Sequence, residues 1–223
     1  MNKTSIQQMK KLIFILSFFV AFSSVSFAQN SEKAKALLDE VSKKVRAYDN
    51  IEIEFSYVLE NTTENIKQET RGDVALKDEK YRLNLMGTTR LFDGKKLYTI
   101  IPEDEEINIS TYNPEDNTGI TPSEMLTFYE DGYTYKWDIK QNVKGRKIQY
   151  IKLTPIDSNA EVKEILLGID VQTKHIYNLI QTQDNGTKVT IKVNSFKTNQ
   201  PMSSILFSFN EEKYQGYYIN RLD

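Results

Sequence analysis

The chain has 223 residues, 39% hydrophobic and 27% charged, with a formal net charge of -2, no cysteine and one histidine. These values exclude a collagen-like chain, a disulfide-stapled domain and a multispan membrane protein. They also exclude a thiolate nucleophile, a cysteine-based metal centre and a lipid carried on an N-terminal cysteine.

Lys10 and Lys11 precede an apolar run from Leu12 to Phe22, which gives way to the small-x-small pattern Ser26-Phe27-Ala28. This pattern predicts a cleavable secretory signal over residues 1–28, complete even if the chain starts at Met9, and sends the protein to the periplasm or outside the cell. Residues 29–223 then read as a single domain. Loss of Lys3, Lys10 and Lys11 makes that domain more acidic. It therefore lacks the basic footprint of a nucleic-acid binder or of a protein held on anionic lipid by charge.

From Glu32 to Tyr48 apolar residues fall at Ala34, Leu37, Leu38, Val41, Val45 and Tyr48, one face of a helix that Ser31 is placed to cap. After Asn50 the period becomes two: Ile51, Ile53, Phe55, Tyr57 and Leu59 point one way, Glu52, Glu54 and Ser56 the other. Further strands are predicted at 66–77, 80–86, 88–92, 95–101, 105–111, 133–139, 147–154, 162–169, 175–183, 187–196 and 204–209, with tight hairpins at Asp93-Gly94 and Asn185-Gly186. Strands joined so closely pair antiparallel, and about eleven of them force a sheet to curl toward a barrel. Between strands, the polar loop Asn113 to Gly119 leads to Thr121-Pro122-Ser123-Glu124, which reads as a capped helix start carrying Met125, Leu126, Phe128 and Tyr129.

Chemistry is sparse. His175 has no nucleophile-elbow glycines to serve, so it reads as an ordinary turn or surface residue. Glu103-Asp104-Glu105-Glu106 lacks the spacing of a calcium loop and reads as a solvated turn. Glu52 and Glu54 share the polar face of one strand, as in any half-exposed strand. A secreted hydrolase would need Glu52, Glu54, Asp73 and His175 gathered at one place. Trp137 with Tyr133 and Tyr135 forms an aromatic stripe that suits either core packing or the wall of an apolar site. No catalytic residue, metal site or cofactor is expected.

Two segments, Lys77-Asp78-Glu79-Lys80-Tyr81-Arg82-Leu83 and Asp93-Gly94-Lys95-Lys96-Leu97-Tyr98 followed by Pro102, resemble the periplasmic outer-membrane lipoprotein carrier family, LolA. The likeness runs from Val45-Arg46-Ala47-Tyr48 and Phe55 through Gly72-Asp73 to Phe207-Ser208-Phe209. It implies a mainly β fold with an α lid: an open antiparallel barrel of about eleven strands, its concave face covered by the N-terminal and inserted helices. It also implies an apolar cavity for acyl chains of lipoproteins. The candidate lining is Phe55, Tyr57, Tyr81, Leu83, Leu85, Leu97 and Trp137, with Met125, Leu126, Phe128 and Tyr129 as the lid. The family's gating arginine falls on Lys77, its proline on Asp78 and its tryptophan on Leu83; lysine keeps the charge but loses the planar fork. The implied partners are acylated lipoproteins, an inner-membrane lipoprotein-releasing ABC transporter and an outer-membrane acceptor or the membrane surface, with the carrier itself a monomer. A lipid- or lipoprotein-sensing module of the same fold is the alternative.

Overall fold

The structure, a computed structural model, describes residues 29–112 and 121–222. The signal segment 1–28 and the loop Asn113 to Gly119 lie outside the described residues. Helix α1 covers 29–46, and its apolar stripe is buried: Ala34, Leu37, Leu38 and Val41 all lie inside. The period-two segments become strands β1 (Asn50–Asn61), β2 (Ile66–Lys77), β3 (Lys80–Leu85), β4 (Thr88–Phe92), β5 (Lys96–Ile101) and β6 (Glu106–Thr111). They continue as β7 (Tyr133–Val143), β8 (Arg146–Pro155), β9 (Val162–Asp170), β10 (Ile176–Gln183), β11 (Lys188–Thr198) and β12 (Tyr218–Arg221).

All belong to one 12-stranded sheet in the order β12-β6-β5-β4-β3-β2-β1-β11-β10-β9-β8-β7. Strands β12 and β7 are its two free edges, so the barrel stays unclosed. The expected hairpins form. Asp93 accepts from the backbone N–H of Lys95 and of Lys96, both at 2.8 Å, while Gly94 takes the left-handed φ of 98° that the turn requires.

Three expectations change. The segment 204–209 is not a strand: the Ser203 hydroxyl accepts from the Ile205 N–H and starts a 3-10 turn, Ser204–Phe207. The C-terminal segment then crosses the outer face of the sheet, where Phe209 stacks on Tyr98 with centroids 4.6 Å apart, and ends in β12. Strand β12 runs parallel to β6, against the antiparallel rule that short connections impose, because its chain arrives by that long crossing. Finally, the inserted helix is two 3-10 turns, Glu124–Leu126 and Phe128–Glu130, separated by Thr127 at φ -136°, which breaks the helical path.

Two apolar clusters share the concave face. Under α1, Leu37, Leu38 and Val41 meet Ile151, Leu153, Leu167 and Ile169 of β8 and β9. Beside them, Ile53, Phe55, Val74, Leu76 and Tyr81 of β1 to β3 gather beneath Leu126.

Candidate functional site

On β1 the alternation aims Ile53, Phe55 and Tyr57 at the concave side, and their neighbours Val74 on β2 and Leu83 and Leu85 on β3 share that face through the register Ile53↔Val74↔Leu83. On the other flank the alternation is broken twice. A bulge lies where Glu54 pairs Ser195 but Phe55 pairs Val193, so Phe196 joins Ile191 and Val193 on the inner face. A second irregularity between Ile176 and Asn178 turns Ile176 inward with Leu179 and Tyr177 outward. Gly72 makes room for the Phe55 ring; a Cβ there would lie 2.6 Å from it.

These side chains enclose a cavity of about 250 Å³ roofed by Pro122, Met125 and Leu126. The Tyr57 hydroxyl is the one side-chain polar atom among the lining residues. The volume falls just below the range of about 300–1,000 Å³ usual for small-molecule pockets. Such a site sequesters hydrocarbon and, apart from the Tyr57 hydroxyl, offers no side chain to hydrogen-bond with.

The roof begins as its sequence predicts. The Glu124 carboxylate accepts from the Thr121 N–H at 2.7 Å, and the Thr121 hydroxyl accepts from the Glu124 N–H at 3.3 Å. Past Thr127 the segment is fastened to its surroundings. The Ser42 hydroxyl of α1 donates to Tyr129 Oη at 3.0 Å, and Tyr135 Oη donates to the carbonyls of Tyr129 and Glu130 at 2.7 and 3.0 Å. Burial above all pushes the Tyr129 phenol up to about 12. Arg46 pairs with Glu130, and its hydrogen bond holds that carboxyl below the usual range.

At the end of the cavity near the C-terminus of α1, His175 stacks on Phe196 with centroids 4.1 Å apart and shares a hydrogen bond of 2.7 Å with Tyr48 Oη through Nε2. His175 sits in the turn before β10 as expected, but it is half-buried rather than a surface residue, and its imidazole joins Tyr48, just past α1, to the cavity wall. Burial, then the nearby Lys44 charge, lowers its pKa. Glu52, Glu54 and Asp73 border a polar groove on the opposite, convex face, so the sheet separates them from His175. Among the described residues no group of three or more acidic or histidine side chains is placed to hold a metal ion.

Of the expected lining, Phe55, Tyr57, Leu83, Leu85, Met125 and Leu126 come together at the cavity. The others lie elsewhere. Tyr81 packs on Phe92 farther along the sheet, and Leu97 sits beside that pair. Phe128 and Tyr129 are part of the core under α1, as is Trp137, whose ring lies 4.3 Å from the Lys33 ammonium. Lys77 borders a separate recess at the start of the roof, and its ammonium has no partner among the described residues. Val74, Pro122, Ile176, Leu179, Ile191, Val193 and Phe196 complete the lining unforeseen. Ile191 and Val193 were accessible from the alternation of 187–196; Phe196 and Ile176 were not, because the two irregularities invert their phase.

The model of the family described as outer membrane lipoprotein carrier protein LolA matches residues 44–210. No curated protein matches the chain by sequence. Among solved structures, an uncharacterized conserved protein from Thermus thermophilus superposes with a TM-score of 0.56 at 11% identity, over 85% of this chain and 99% of that one. LprF from Mycobacterium bovis gives 0.45 at 12% identity, over 78% and 96%. A LolA superfamily protein from Nitrosomonas europaea gives 0.42 at 12% identity, over 79% and 97%. At its identity the Thermus likeness shows shared fold alone.

Proposed function

Because the chain belongs to the outer membrane lipoprotein carrier protein LolA family, we propose that it is a non-enzymatic carrier of acylated lipoproteins. It works in the periplasm as a monomer, exported by residues 1–28 and folded as the single domain 29–223. The observation that carries this reading is the roofed apolar cavity built from Phe55, Tyr57, Leu83, Leu85, Met125 and Leu126 with their unforeseen neighbours.

An acyl chain in water costs about 0.8 kcal/mol for each exposed methylene, so a lipoprotein anchor does not cross an aqueous compartment unaided. The cavity removes that cost for the length of chain it covers. The empty carrier has the opposite problem, an exposed apolar trough, and closure of Met125 and Leu126 over it solves that problem. Cargo enters from an inner-membrane lipoprotein-releasing ABC transporter and leaves to an outer-membrane acceptor or the membrane surface. Transfer requires no bond making; the next holder need only bind the chains more tightly. Lys77 stands at the start of the roof, where it takes the gating position of the family arginine.

The test is release. Purified protein is added to energised inner-membrane vesicles that carry an acylated lipoprotein and its ABC transporter. Cargo recovered in solution as a complex with the protein is expected. Cargo that stays in the vesicles at every concentration of folded protein overturns the carrier reading.

A further inference from the structure

The roof carries a chemical group that the rest of the cavity lacks. Met125 is 38% exposed to solvent, whereas Leu126 beside it is 8% exposed. Among the described residues, Met125 is the only exposed large apolar side chain that also lines the cavity. Its thioether therefore has water on one flank and, on the other, the space that shelters hydrocarbon. The turn that presents it holds it there: the Met125 N–H donates to the Thr121 carbonyl at 2.9 Å, and the Glu124 carboxylate caps the same turn.

The chain has no cysteine, so its thioethers are the side chains most readily oxidised. Outside the signal segment they are Met86, Met125 and Met202. Met86 stands 52% exposed in the hairpin between β3 and β4, and Met202 borders a separate recess past the end of β11. Neither lines the cavity, so oxidation at either leaves its wall unchanged. At Met125 it alters the wall. The sulfur gives an electron pair to one peroxide oxygen, an S–O bond forms as the O–O bond breaks, and the second oxygen leaves as water. An apolar thioether becomes a sulfoxide, whose oxygen is costly to bury unpaired. Turned inward, that oxygen meets a wall in which Tyr57 Oη is the one side-chain donor. Turned outward to water, it draws the longest side chain of the roof off the cavity. Either position lowers the affinity for hydrocarbon.

We propose that Met125 is a reversible oxidation site: peroxide turns hydrocarbon uptake off there, and reduction of the sulfoxide turns it back on. This rests on the carrier reading and adds a control to it.

The folded, exported protein is treated with hydrogen peroxide, peptide mass spectrometry locates the added oxygen, and N-phenyl-1-naphthylamine fluorescence reads uptake. Wild-type protein oxidised at Met125 is expected to bind the naphthylamine about tenfold more weakly than before treatment. Methionine sulfoxide reductases A and B, one for each sulfoxide epimer, should restore the lost affinity. Met86→Leu should lose affinity on treatment as wild type does. Met125→Leu, whatever its starting affinity, should change by less than about twofold on treatment. Affinity that survives full oxidation of Met125, a Met125 that stays unmodified while Met86 is oxidised, or an equal loss in treated Met125→Leu overturns the oxidation site. Untreated wild-type protein that takes up no naphthylamine overturns the carrier reading itself.

Discussion

The concave face of one continuous sheet is filled along one half and hollow along the other. Under α1, Ile151, Leu153, Leu167 and Ile169 are completely buried against a helix whose stripe repeats Leu37, Leu38 and Val41. Over β1 to β3 the cover is a pair of 3-10 turns, of which the first contributes only Met125 and Leu126 above a cavity of about 250 Å³. A long amphipathic helix presents enough side chains to interdigitate with a sheet; a three-residue turn does not. Stability and capacity are thus assigned to different halves of the same surface.

The sharpest way to break that contrast is to truncate each half. Leu167→Ala opens a new hole in close-packed core and should lower the unfolding free energy by about 4 kcal/mol, whereas Ile53→Ala only widens an existing space and should cost about 2 kcal/mol. Urea denaturation measures both, and equal losses would mean that the two halves are equally packed. Gly72→Ala examines the fit inside the hollow half. Its Cβ would lie 2.6 Å from the Phe55 ring and 2.8 Å from the Asn84 carbonyl oxygen. The ring is then driven into the cavity, with a stability loss of about 2 kcal/mol and weaker uptake of an apolar fluorophore.

A smaller effect is expected where the halves join. Tyr129→Phe removes the hydrogen bond between the buried Ser42 hydroxyl and Tyr129 Oη and should cost about 1 kcal/mol, a loss not repeated when Ser42→Ala is already present. The smallest concerns pH. His175 has a pKa lowered from its ordinary 6.5 in the folded state, so between the two values the unfolded chain binds more protons. Stability is therefore full above pH 6.5 and falls as pH drops from there to the lowered value, where the loss is complete. Subtracting the pH profile of His175→Gln from that of wild type should isolate this slope; identical profiles would show that the imidazole titrates alike in both states.

Much of the hollow half was legible in the sequence because alternation carries it. Ile53, Phe55 and Tyr57 share a face in any straight strand, and Leu83 and Leu85 follow from the hairpin to β2. Phe196 and Ile176 were hidden by the two irregularities, which no period reveals. In the sequence the Trp137 stripe suits core or cavity wall alike, and only the placement of α1, a tertiary fact, decides that it is core. The inserted segment presented four apolar residues as one lid. It divides at Thr127, so Met125 and Leu126 cover the cavity while Phe128 and Tyr129 anchor the segment. The cap at Thr121 and Glu124 was readable, since its chemistry is local.

The central claim, that the hollow half shelters hydrocarbon, is tested most directly by native mass spectrometry of the exported protein purified without detergent. The account predicts a retained acylated species, or its uptake when a palmitoylated peptide is supplied, in wild-type protein. It predicts neither in Leu126→Asp, which places a carboxylate against the cavity roof. A folded wild-type protein that stays at its bare mass under both conditions, or a Leu126→Asp variant that retains the ligand equally well, would contradict it.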